Sequence, residues 1–173
     1  MDLIFFLAMQ VEHEPRQLLV GAALMLVTAV VQTFGVVTLE ELVERRRERV
    51  FSDMTRLRMI TTLCGVVVFL FGLHLLEMSV WAAVIRPLAG YSSFAVSMYE
   101  SALAFTTMDV AELPPAWKFL SAAAGVTGLL MFAWSTSVLF NQTSWITDAR
   151  RKYLRKHRMW GARESEMETP PAP

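Results

Sequence analysis

The sequence predicts an all-α membrane protein with three transmembrane helices and a shorter re-entrant helix between the second and third. Three observations carry this reading. Apolar runs long enough to cross a bilayer occur at 17–39, 59–85 and 119–147. A moderately apolar, helix-compatible run at 92–106 is too short to cross and lies between the second and third of them. The basic residues are sorted onto alternate connections, as the insertion of three spans requires. With 54% hydrophobic residues in 173, the apolar content is gathered into blocks rather than spread over one soluble core.

Residues 1–16 open with the apolar stretch Leu3 to Met9, too short to span, which reads as an extracellular or interfacial segment. Asp2 stands where a signal peptide would carry a basic residue, and no small-residue cleavage pattern follows. Residues 17–58 hold the first span and its cytoplasmic connection. Gln17 to Leu39 is uncharged and as a helix would be roughly 34 Å long, enough for a hydrocarbon core of about 30 Å. The connection from Glu40 to Arg58 mixes acidic and basic residues and reads as a solvated helical hairpin.

Residues 59–147 form the central unit. Met59 to Ile85 is uncharged apart from His74 and Glu77, which a spacing of three places on one helix face. Ionisable groups inside a span are costly and face the protein interior. They read as an intramembrane support for the helix that follows, either as a hydrogen-bonded pair or as a pH-sensitive element. Ser92 or Ser93 can cap that helix. It is expected over 92–107, with a turn at 106–112 that carries Thr106, Thr107, Met108, Asp109, Val110 and Glu112. Pro114, Pro115 and Trp117 then mark the start of the third span. On that span Ala124, Gly128, Met131, Ser135, Val138 and Gln142 share one face, which suits tight packing or a wet cavity wall. Gly35, Gly65 and Gly72 read as close-contact points between helices, and Trp134 as a packing anchor.

Arg45, Arg46, Arg47, Arg49, Arg56 and Arg58 follow the first span, and Arg150 to Arg163 follow the third. The opposite flanks are poor in Lys and Arg, so the N-terminus is expected outside and the C-terminus in the cytoplasm, in a plasma (inner) membrane. Residues 148–173 read as a basic cytoplasmic helix that meets anionic lipid headgroups, then a disordered tail.

A helix that dips into the bilayer and ends in Thr106-Thr107 points the negative end of its dipole at the turn, which favours cations. Repeated around an oligomer axis, these hydroxyls, carbonyls and carboxylates would become rings fit for a cation filter. In a single chain, the same Asp109 and Glu112 would also suit a solvated outer loop.

Phe105-Thr106-Thr107, the Leu-Pro-Pro-x-Trp at 113–117, the run Gly128 to Phe140 with its Trp-Ser-Thr, and His74-Leu-Leu-Glu77 followed by Trp81 resemble the pore region of the small bacterial potassium-channel-type family (two-helix pore, ion channel). The resemblance covers roughly residues 60–142. It implies a potassium-channel-like pore in a homotetramer, with a pore helix at 92–107 and permeating cations as partners. The ion filter would be Thr106, Thr107, Met108, Asp109, Val110 and Glu112, and Gly128, Met131, Ser135 and Gln142 would line the pore from the inner helix. The family's Gly-Tyr-Gly-Asp is absent here. Glycines permit the torsions that aim successive carbonyls at an ion, so a threonine and aspartate ring is expected instead. Such a ring suits potassium, unselective or divalent permeation, since a carboxylate ring favours hard divalent ions.

The alternative expectation is a non-conducting scaffold or accessory subunit that kept the pore fold. A third is a proton-coupled carrier using His74 and Glu77. No nucleophile–base set, phosphate-binding glycine loop or Cys/His metal spacing occurs, and Cys64 is single, so neither an enzyme, a metal site nor a cofactor is expected. Charges are segregated around a net of zero, which argues against a nucleic-acid partner.

Overall fold

A computed structural model describes residues 2–51, 56–108, 113–114 and 117–168, with side chains over a narrower set. The described residues form four helices: α1 (Asp2–Phe51), α2 (Arg56–Ala89), α3 (Phe94–Phe105) and α4 (Lys118–Glu168). Within three of them, Pro15–Arg45, Leu57–Ala89 and Lys118–Arg155 are long and apolar enough to cross a membrane. This is the architecture of a multi-pass membrane protein. Leu19, Phe34, Phe71 and Phe140 are more than half exposed, as side chains facing lipid tails are.

Two boundaries differ from expectation. The helix of the first span already begins at Asp2, running through Pro15, so 1–16 is backbone-continuous with it. At the other end α4 continues to Glu168, inside the stretch expected as a disordered tail.

Helices α1 and α2 are antiparallel. The indole N–H of Trp81 donates to Thr28 Oγ1 at 3.0 Å, and Gly35 lies tight against the Leu73 side chain. The same register brings Gln32 level with Glu77. Helix α4 joins α1 through two polar ties. Gln32 Nε2 donates to Ser135 Oγ at 2.9 Å, and Gln17 Oε1 accepts from the Phe119 backbone N–H at 2.9 Å. The second tie satisfies one of the orphan donors in the first turn of α4.

Helix α3 packs on α2 and α4. Its N-terminus is capped by Ser93, whose Oγ accepts from the Val96 N–H. Ser97 Oγ donates to the Ala82 carbonyl and Ser79 Oγ lies by Met98 Sδ, so α3 runs antiparallel to α2. Phe105, at its end, is fully buried. The core there joins Trp81, Ile85, Phe105, Leu120 and Met131.

Candidate functional site

The end of α3 is held by a notch in α4. A Cβ at Gly128 would collide with the Phe105 carbonyl oxygen, and one at Gly125 would come within 3.2 Å of the Ala104 carbonyl. The small face of α4 therefore lets backbone meet backbone. Gly128 is ten residues into α4, roughly 15 Å along its axis. Phe105 also stacks edge-on to Phe132, which in turn lies 4.4 Å from the His74 ring. His74 is fifteen residues before the end of α2, roughly 22 Å by helix rise. So α3 ends beside the middle of α2 and roughly 15 Å along α4 from its start.

The turn that follows is a Schellman motif. Met108 N–H donates to the Leu103 carbonyl and Thr107 N–H to the Ala104 carbonyl. Thr107 occupies the left-handed position, at φ 58°. The end of α2 is closed in the same way, Tyr91 N–H reaching the Arg86 carbonyl, but there Gly90 takes the left-handed position at φ 72°. Glycine is unstrained in that region, whereas a β-branched residue is not. The Thr107 methyl has a specific seat, 3.3 Å from where a Gly125 Cβ would stand. Thr107→Gly is expected to stabilise the fold by roughly 0.5–1 kcal/mol, as relief of strain outweighs the extra chain entropy. Thermal unfolding in detergent reads it; a destabilised variant would mean that the methyl contact outweighs the strain.

These bonds change the expected chemistry of the turn. The Ala102, Leu103 and Ala104 carbonyls already accept hydrogen bonds, so they are not the free carbonyls the sequence led us to expect. Thr106 Oγ1 donates to Ala102 at 2.7 Å, which spends its proton within α3. Thr107 and Met108 are exposed, Met108 at 78%, and are the available groups. Asp109, Val110 and Glu112 lie outside the described residues.

His74 Nδ1 lies 2.9 Å from Glu77 Oε2, and both are buried, which is the hydrogen-bonded pair behind α3. Glu77 Oε1, Gln32 Oε1 and Ser101 Oγ are buried with no hydrogen-bond partner among the described residues. The two antiparallel registers bring these three groups, from three helices, to one level of the bundle. Sequence reasoning named Glu77 alone. Thr28 and Gln32, and likewise Ser97 and Ser101, are polar pairs four apart in apolar helices, and that spacing was the available signal.

Within the subunit, Gly128 meets the end of α3, Met131 lies in the core, Ser135 bonds to Gln32 of α1, and Gln142 lines a cleft between α1 and α4. Gly35 is a close contact, but Gly65 and Gly72 have open space around them. Trp134 is 40% exposed.

No known protein family, curated protein or solved structure matches this chain.

Proposed function

We propose that the chain is one subunit of a cation channel with a non-standard filter, assembled as a homotetramer, with α3 as a re-entrant pore helix. The observation that carries this reading is the seating of Phe105 on Gly128, beside the middle of α2 and roughly 15 Å into α4. Twelve residues of helix enter alongside α2 and stop there, and irregular backbone at that depth is tolerated only in protein or beside water. The end of α3 presents its dipole and the exposed Thr107 hydroxyl to the chain that continues through Asp109. Hydroxyl and carboxylate oxygens around a symmetry axis would hold partly hydrated cations. The basic residues at the end of α1, at the start of α2 and along the latter part of α4 support an N-terminus outside and a cytoplasmic C-terminus.

Cation flux into liposomes carrying the purified chain tests this. Flux is expected, and Asp109→Asn is expected to weaken divalent permeation or block about tenfold, as one charge per subunit leaves the ring. Absence of flux for every cation from correctly folded protein would sink the channel reading. That result would favour the non-conducting scaffold, to which the internally bonded carbonyls of α3 and the missing filter glycines already lend weight.

A further inference from the structure

Three side chains inside the bundle, each on a different helix, carry an oxygen that nothing among the described residues satisfies: Gln32 Oε1 on α1, Glu77 Oε1 on α2 and Ser101 Oγ on α3. All three residues are fully buried. Their common level follows from the contacts beside it. Trp81 meets Thr28 and Leu73 meets Gly35, which sets Glu77 opposite Gln32. Ser97 bonds to the Ala82 carbonyl and Ser79 lies by Met98, which sets Ser101, one turn further along α3, opposite Glu77.

The other polar atoms of these residues are already engaged. Gln32 Nε2 donates to Ser135 Oγ, and Glu77 Oε2 lies 2.9 Å from His74 Nδ1. Ser101 departs from its neighbours. Thr28, Ser79, Ser97 and Thr106 turn their hydroxyls back to a carbonyl of the preceding turn, and Ser101 does not. Nor does it donate to Glu77 Oε1 or Gln32 Oε1, though either oxygen would accept. A hydroxyl, an amide oxygen and a carboxylate oxygen at one level, none bonded to another, leave a place for a group between them.

Charge decides which group. As a neutral ring, His74 gives its Nδ1–H to Glu77 and needs no further donor contact; an imidazolium would leave a second N–H unbonded beside Phe132. The Glu77 carboxylate is then a single uncompensated charge inside a span, which is costly. A water would complete the hydrogen bonds without offsetting that charge, and a divalent ion would overcompensate it. Oxygen ligands that include one carboxylate match a hard monovalent cation. Close packing on both sides, Gly35 on Leu73 and Ser97 on the Ala82 carbonyl, keeps the space small, which favours sodium over potassium. We propose that Gln32, Glu77 and Ser101 bind one sodium ion behind α3, and that the ion ties α1, α2 and α3 together. The site is separate from the turn after α3 and stands whether or not the protein conducts.

The test is equilibrium binding of radioactive sodium to the full-length chain in detergent, with ionic strength held by N-methylglucamine chloride. One saturable ion per chain is expected, with potassium competing about tenfold more weakly than unlabelled sodium. The unfolding temperature should rise by roughly 4 °C at about ten times the sodium Kd. Glu77→Gln is expected to abolish both effects while matching or exceeding wild-type stability in sodium-free buffer, because the buried charge is gone and the new amide can donate to Gln32 Oε1. A purely structural role for Glu77 would instead lower stability equally with and without sodium. Should Glu77→Gln fail to fold, Ser101→Ala removes one ligand and should weaken sodium binding about tenfold. No bound ion and no sodium dependence in the wild type would overturn the proposal and assign the place to an ordered water or to a proton on Glu77. Sodium binding that survives unaltered in both variants would overturn it as well, since the ion would then sit elsewhere.

Discussion

Gly128→Val is expected to unseat α3 and to cost about 3 kcal/mol or more. The reason is steric. Even a Cβ at this position runs into the Phe105 carbonyl, which is backbone and cannot rotate away. Overpacking a well-filled site costs about 1–3 kcal/mol where side chains can adjust, and here the helix itself must move. Two companion variants calibrate the result. Gly125→Ala meets the Ala104 carbonyl at 3.2 Å and the Thr107 methyl at 3.3 Å, so a small shift accommodates it and the loss is smaller. Gly65→Ala meets nothing and should be neutral or slightly stabilising, since alanine is the better helix former by about 1 kcal/mol. Unfolding by SDS titration from mild detergent orders the three. In the channel reading, Gly128→Val also abolishes flux, because the turn after α3 is displaced with it. Wild-type stability in Gly128→Val would show that α3 does not rest on this notch.

Trp81→Ala is the second large expected effect, a loss of about 3–5 kcal/mol. Trp81 is fully buried where α1, α2 and α3 meet. Its removal opens a cavity under α3 and takes away the hydrogen bond to Thr28. Trp81→Phe keeps most of the volume and loses the N–H, so it should cost only about 1 kcal/mol. The same SDS titration separates the two terms. If Phe and Ala prove equally damaging, the hydrogen bond outweighs the volume and the packing account is wrong. If both are tolerated, the bundle closes around the gap, which the buried Ile85, Phe105 and Leu120 around it argue against.

The spans were legible because each is a property of a continuous stretch. Freedom from charge, length and the sorting of arginines can be read without knowing any neighbour. The short helix was legible for a similar reason, and Ser93 caps it as its sequence anticipates. The face of α4 was not. Small and polar residues at helical spacing describe a packed seam and a wet wall equally well, and that α3 arrives on Gly125 and Gly128 is visible only in the fold. Gly35 and Gly65 look alike in sequence; one is pressed by Leu73 and the other is open. Thr107 could not be foreseen as a left-handed residue, because threonine is a poor choice for that position and its place is set by the Gly125 seat.

The sequence by itself thus determined three apolar spans, an interposed short helix and the order of turns, all of them local consequences of hydropathy, capping and charge. The tertiary structure alone decided which glycines are contacts, which of two adjacent threonines keeps a free hydroxyl, and that Gln32, Glu77 and Ser101 share one level. Those depend on the register between helices far apart in the chain. Register is set by the whole set of backbone approaches and buried polar ties at once, and no single segment carries it.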